Sequence, residues 1–274
     1  MLSDSFPKVE FKKKVRVFNL SSGSDGNATY IETEHARILV DDGLSCTETV
    51  KRLNLIGVSG ENIDAIILTH EHIDHMKGVD VFSKKFNTPI YAHNDVWKGV
   101  YPKLSKVAES NMRIFDGDFD IKDLIISPVE IPHDVKCFGF AIENGDSKVS
   151  LLTDLGHTTD KIFNSVKGSQ LVYLEANHDI NMLKNCEKYP LSLRMRIAGK
   201  NGHLSNDASA EFAEKLVESG TRQIVLSHLS RENNTPELAY TYISKKLADS
   251  GIIEGTHVKI DVALTVPVRI FRLK

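Results

Sequence analysis

The sequence predicts an α/β fold, and three observations carry that prediction. Short apolar runs rich in β-branched residues recur along the chain, helical patterns separate them, and turn residues punctuate the joins. No Pro/Gly/Ser-rich linker or low-complexity segment divides the 274 residues, so one domain spanning residues 1–274 is expected. A hydrophobic share of 41% suffices for a sizeable core.

The elements read in order as follows. Residues 15–20 form a strand with apolar positions at 15, 17 and 20, and residues 29–33 and 37–40 continue as a meander. Residues 47–55 read as a helix and 63–68 as a buried strand. In the second half, residues 148–152, 170–174 and 223–226 are apolar runs of the inner-strand kind. Residues 208–218 and 236–250 read as helices. Asn206 or Asp207 can cap the first, and Thr235 followed by Pro236 starts the second.

Composition narrows the functional classes. A formal net charge of −3 gives no global field for a polyanion, so a nucleic acid would need a local patch. Residues 1–14 are polar, with Lys12, Lys13 and Lys14, and lack the apolar run of a signal peptide. No stretch has the length of apolar residues that a membrane helix needs. Cys46, Cys137 and Cys186 are scattered with no Cys-x-x-Cys pair, which suits reduced thiols. A cytoplasmic protein without a membrane partner is expected; the oligomeric state is not legible.

The sharpest signal is Thr69-His70-Glu71-His72-Ile73-Asp74-His75, directly after an apolar strand. At a strand end, residues i and i+2 point to one side, so His70 and His72 can converge on one ion. Asp74 and His75 follow on the turn. Four ligands on so short a loop suit two adjacent ions, and imidazole with carboxylate suits zinc or manganese. Three further candidates sit at strand ends: His133, Asp154 and His228. That edge is where α/β sheets place their sites. Asp154 can offer one oxygen to each ion.

In order and setting, His70-x-His72-x-Asp74-His75, then His133, Asp154 and His228, resembles the ligand set of the metallo-β-lactamase superfamily, from residue 15 to the end of the chain. The resemblance implies a four-layer αββα sandwich. It implies one ion on His70, His72 and His133, another on Asp74, His75 and His228, and Asp154 between them. A bridging hydroxide then attacks the substrate. Flavodiiron oxygen reductases of this superfamily have Glu where His72 stands, so that branch is disfavoured.

Further residues favour nucleic acid. The loop 20–27, with Ser22, Gly23, Ser24 and Asn27, is either a tight turn or a phosphate-binding nest of backbone N–H groups. Its Ser-Gly-Ser-x-Gly-Asn pattern resembles the start of the YycJ/WalJ exonucleases. Glu175 and His203 match a carboxylate and a histidine of the β-CASP nucleases, and a carboxylate beside an imidazole favours its protonated form. Only 27 residues separate the two, where β-CASP enzymes carry a whole domain, which favours the compact YycJ/WalJ group. That segment holds Lys188, Arg194, Arg196 and Lys200, a solvated face or a footprint for phosphates.

Asn177, His178 and Asp179 are candidates for orienting the ligands, whereas His35, His93 and His257 read as structural, and His157 is left unassigned. Together these features imply a two-metal phosphodiesterase, and the YycJ/WalJ resemblance implies a DNA exonuclease that works from the 5′ end. Asp74, His203 and Glu175 carry catalysis, and Ser22, Gly23, Ser24, Asn27, Arg194, Arg196 and Lys200 bind substrate. The rival is a small-molecule hydrolase of a cyclic phosphodiester, a thioester or a lactam, which would need neither the Glu175–His203 pair nor the basic strip.

Overall fold

The computed structural model describes residues 15–263 and 269–272. The polar N-terminal stretch with Lys12, Lys13 and Lys14 lies outside them. The first half runs β1 (Arg16–Ser21), β2 (Ala28–Glu32), β3 (Arg37–Val40), α1 (Cys46–Leu55), β4 (Ala65–Ile67), α2 (Ile73–Met76), α3 (Val79–Phe86), β5 (Ile90–His93), α4 (Asn94–Val100) and β6 (Met112–Phe115). A run of antiparallel strands follows: β7 (Phe119–Ile121), β8 (Leu124–Ile131), β9 (Cys137–Asn144) and β10 (Ser147–Leu152). The chain then continues through α5 (Asp160–Val166), β11 (Leu171–Glu175), α6 (Ile180–Lys184), α7 (Leu191–Ile197), α8 (Asn206–Glu218), β12 (Gln223–Ser227), α9 (Pro236–Asp249), β13 (Lys259–Val262) and β14 (Arg269–Arg272).

Two seven-stranded sheets result. One has the order β14-β1-β2-β3-β4-β5-β6 and the other β13-β12-β11-β10-β9-β8-β7. Alternation along the strands explains the layering. In β11, Leu171 and Tyr173 join a core shared with the first sheet, while Val172 and Leu174 face α5, α8 and α9. Leu53 of α1, Phe82 of α3 and Trp97 of α4 cover the first sheet's other side. Strands buried on both faces read as unbroken apolar runs, which is why β10, β11 and β12 stand out in the sequence. The arrangement is the αββα sandwich that the sequence led us to expect. No helix among the described residues is long and apolar enough to cross a membrane.

One detail of the sequence reading is corrected. Neither Asn206 nor Asp207 caps α8. Ser205 does, its Oγ accepting from the Ala208 N–H at 3.2 Å. Asn206 is buried against Asn234 instead, and Asp207 accepts from the Tyr242 hydroxyl. By contrast, Thr235 and Pro236 open α9 as anticipated.

The fold also braces the loop that follows β4. Asn27 donates its N–H to the Asp74 carbonyl at 2.7 Å, and Asp42 donates to the His75 carbonyl at 2.9 Å. Gly43 donates to the Asn27 carbonyl at 2.8 Å and closes the braid. The approach leaves no room for a side chain, because a Cβ on Gly43 would lie 1.6 Å from the Asp74 carbonyl oxygen. Gly43→Ala should therefore cost about 1–3 kcal/mol, read as a lower urea midpoint, and should loosen metal binding through Asp74. An unchanged midpoint would show that the braid yields freely.

Candidate metal centre

The sequence motif folds as two short pieces. After β4 the chain bends at Thr69 and Glu71 and reaches His72, the extended N-cap residue of α2. Asp74 and His75 then sit in α2, and the His75 ring comes back to within 4.2 Å of the His70 ring, centroid to centroid. His133 follows β8, Asp154 follows β10 and His228 follows β12. Asp41, Asp154 and His228 all adopt left-handed backbone, with φ of 61°, 58° and 55°. Such a conformation in non-glycine residues costs energy and is tolerated where a site needs the chain to turn sharply at a strand end.

Four overlapping groups of donors converge here. They are His70, His72 and His133; Asp74, His75 and His228; His70, His75 and Asp154; and Asp154, Glu175, His203 and His228. In each group the donor atoms lie within 4.8 Å of one another. The hydrogen bonds show whether these side chains fit metal ions. His75 Nδ1 donates to Asp41 Oδ2 at 2.7 Å, and His228 Nδ1 donates to Glu175 Oε1 at 2.7 Å. His133 Nδ1 faces the Gly202 carbonyl at 3.3 Å, and His70 Nδ1 meets the Thr69 hydroxyl at 2.9 Å. With Nδ1 engaged, Nε2 carries the lone pair. The Nε2 atoms of His70 and His228 are buried with no hydrogen-bond partner among the described residues, while His133 Nε2 and Asp154 Oδ2 face only the acids and imidazoles of the same centre. Orphaned buried polar atoms are costly. Rings anchored through one nitrogen, with the other free, have the form of metal ligands. The residues thus fit divalent ions, which the family fold implies; the identity of the metal is a separate matter.

The electrostatics agree. Burial acts to lower the His75 pKa, but the Asp154 and Asp41 carboxylates overcome it and hold the ring up at about 10. Burial likewise opposes, and Asp154 overcomes, at His228, which lies well above the usual range. Burial, aided by His75, pushes His70 well down. Burial would raise Asp154, yet His228, His75 and His70 bring it well below the carboxylate range. The centre is built around a carboxylate that favours cations. A divalent ion competes with protons on His75 and His228, so its affinity should rise with pH.

The Glu175–His203 pair also forms. His203 Nδ1 lies 2.9 Å from Glu175 Oε1. Burial lowers the His203 pKa, and Glu175 reverses that and raises it. Glu175 itself is fully buried and does not line the cleft, so it acts through His203 and His228 rather than on a substrate. A cleft of about 270 Å³ brings together His72, Asp74, His133, Asp154, His203 and His228.

The anticipated substrate-binding residues divide. Ser24 and Arg196 line the cleft. Ser22 is buried, and its Oγ accepts from the His228 N–H at 2.8 Å. Gly23 gives its N–H to Asn27 Oδ1 at 2.9 Å, and Gly26 gives its own to the Gly23 carbonyl at 3.0 Å. Asn27 is buried, with its amide 2.9 Å from His75 Nε2. The loop thus spends the N–H groups of Gly23, Gly26 and Asn27 on itself and on the metal loop, and a phosphate nest formed by those three is not what it builds. The basic strip is also broken. Arg194 and Arg196 are two apart on α7 and point to different sides, Arg196 toward Asp134 at 3.1 Å and Arg194 toward the Lys184 carbonyl. Lys188 pairs with Glu232, and Lys200 is exposed, its carbonyl accepting from His157.

Among the candidates for orienting ligands, Asn177 does so, donating to the His228 carbonyl at 2.9 Å. Asp179 caps α6, and His178 turns to a neighbouring cavity. His93 caps α4, while His35 and His257 are exposed. Sequence reasoning missed Asp41 and Asp134. Asp41 accepts from His75 and from both the N–H and hydroxyl of Thr69. Asp134 stands 3.2 Å from His133 Nε2 and 3.4 Å from His72 Nε2. Asp41 follows β3 as Asp154 follows β10, so the strand-end criterion could have found it. Asp134 is marked only by adjacency to His133.

The overlap of the donor sets at Asp154 yields a prediction. The purified protein should bind about two divalent ions per chain, and Asp154→Asn should hold fewer and more weakly. Elemental analysis after dialysis against buffered metal would measure this. A variant that retains two ions at wild-type affinity would remove Asp154 from the site.

Comparison with known proteins agrees with this geometry. The model of the β-lactamase superfamily domain matches residues 36–229. The exodeoxyribonuclease WalJ of Streptococcus pneumoniae serotype 2 is 36% identical over 251 residues, covering 88% of this chain and 91% of that protein. The exodeoxyribonuclease YycJ of Bacillus anthracis is 32% identical over 240 residues, covering 86% and 90%. Among solved structures, the metallo-β-lactamase fold protein YhfI from Bacillus subtilis superposes with a TM-score of 0.72 at 18% identity, covering 95% of this chain and 100% of that one. Human tRNase Z, short form, gives 0.63 at 16%, covering 93% and 98%. The chain belongs to the metallo-β-lactamase superfamily and, within it, to the family of the WalJ and YycJ proteins.

Proposed function

We propose that the protein is a cytoplasmic two-metal nuclease, acting as one domain over residues 1–274, that removes nucleotides from the 5′ end of DNA. The observation that carries this reading is a carboxylate-anchored histidine beside the donor sets: Glu175 anchors His203, which lines the same cleft as Asp74 and His133. A lactam or thioester hydrolase has no need of that pair. The exodeoxyribonuclease names of the relatives that match over most of this chain support the same substrate class.

In this reading His70, His72 and His133 would hold one ion, Asp74, His75 and His228 the other, and Asp154 would contact both. Zinc or manganese suits this donor set. The ions would supply charge neutralisation at the phosphate and an activated water. The chain's own residues do the rest. Glu175 fixes the His203 ring through Nδ1 and favours its charged form, which leaves the opposite nitrogen to protonate the departing oxygen. Arg196 and Ser24 line the same cleft and would contact backbone phosphates of the strand.

Two outcomes are expected. His203→Ala should keep both metals and lose roughly 10²–10⁴-fold in rate on DNA. The loss should shrink on a nitrophenyl phosphodiester, whose leaving group needs no proton. Equal losses on both substrates would remove the acid role. Linear DNA with a 5′ phosphate should be degraded progressively, with closed circular DNA of the same sequence spared. Gel analysis showing the circle cut at a comparable rate would overturn the exonuclease reading in favour of an endonuclease.

A further inference from the structure

A second cavity, of about 460 Å³, lies against the metal cleft and shares His203 as a wall. The short insert between β11 and α8 builds much of it, through Ile180, Leu183, Leu191, Arg194 and Met195. The rim is apolar yet wet, with Leu191 63% and Met195 67% exposed. Apolar side chains gathered around one recess in this way mark a binding site, and methionine adapts to varied partners.

Two polar groups set the chemistry of the occupant. Arg194 rests one end of its guanidinium on the Lys184 carbonyl, while its Nε is buried with no hydrogen-bond partner among the described residues. His178 lines the cavity, is 3% exposed, and has an Nδ1 that lacks a partner. Burial holds its pKa down at about 4, so the neutral ring offers one donor and one acceptor. A free phosphate could meet the cations Arg194 and Lys184 but would leave the apolar walls uncovered. An alkyl chain would leave the polar groups unmet. A flat ring with donors and acceptors around its edge satisfies both features.

We infer that this cavity is a base-binding subsite. It takes the nucleobase next to the phosphate held at His203, with Leu191 and Met195 against the ring faces and His178 and Arg194 toward its edge. This rests on the nuclease reading above. A base in the recess is out of its stack, so the strand end must be unpaired there, and frayed or single-stranded ends are the better substrates.

Two measurements test it separately from catalysis and from that reading. In titration calorimetry with no added metal, a deoxynucleoside 5′-monophosphate should bind at least about tenfold more tightly than deoxyribose 5-phosphate, and Met195→Glu should erase the difference. Equal affinities in the wild type, or a difference that Met195→Glu leaves intact, would overturn the subsite even if the protein degrades DNA. With metal-loaded protein, an abasic residue walked along an oligonucleotide should slow cleavage about tenfold at one position beside the cut bond, and Met195→Glu should remove that position's effect. An effect spread evenly over all positions would also overturn it. Failure to cut any oligonucleotide, with nucleotide binding intact, would instead remove the nuclease reading and leave the base site standing.

Discussion

The site depends first on one buried carboxylate. Glu175 is fully buried at the end of β11, and both of its oxygens are engaged. Oε1 meets His203 at 2.9 Å and His228 at 2.7 Å. Oε2 accepts the N–H of Leu155 at 2.6 Å and of Leu204 at 3.2 Å. A charge taken out of water is tolerated only when it is paired and hydrogen-bonded on all sides, and removing one partner leaves the rest in debt. Glu175 thereby locks the chain after Asp154, the entry to α8 and the His228 ring into one geometry. Burial would raise its pKa, and His203 brings it below the usual range, so it stays ionised.

The first sheet has a counterpart. Asp41 directly follows β3 where Glu175 ends β11, and its oxygens fix His75 at 2.7 Å and Thr69 at 2.9 Å. Thr69 in turn meets His70. Each sheet thus contributes a carboxylate that anchors one imidazole by Nδ1, His75 or His228, and leaves its Nε2 facing Asp154. The two halves meet at that residue, which is 3.1 Å from His75 Nε2 and 3.7 Å from His228 Nε2. Anchoring of this kind sets the tautomer and orientation of a ligand before any ion arrives. Backbone contacts through Gly43 complete it from the third side.

The region between β11 and α8 shows how local sequence can mislead. Lys188, Arg194, Arg196 and Lys200 read as one basic run, but folding distributes them. α7 turns Arg194 and Arg196 apart, and acids from elsewhere, Asp134 and Glu232, meet Arg196 and Lys188. The apolar residues between them, Leu191 and Met195, carry less signal in the sequence and more of the surface.

The sequence by itself determined the fold class and the candidate metal donors. Both rest on patterns of short range: strands buried on two faces are continuous apolar runs, and ligands at strand ends follow those runs directly, as His70, Asp154 and His228 do. The tertiary structure alone decided what holds the donors. Asp41 reaches His75 across 34 positions, and Glu175 reaches His228 across 53. Ser22 meets the His228 N–H across 206. No local pattern encodes such pairings, because they depend on which strand ends the two sheets bring to a common edge. For the same reason the loop 20–27, readable as a tight turn or as a cradle for an anion, turns out to spend the N–H groups of Gly23, Gly26 and Asn27 as a brace. Its free N–H groups are counted only once the partners from distant segments are in place.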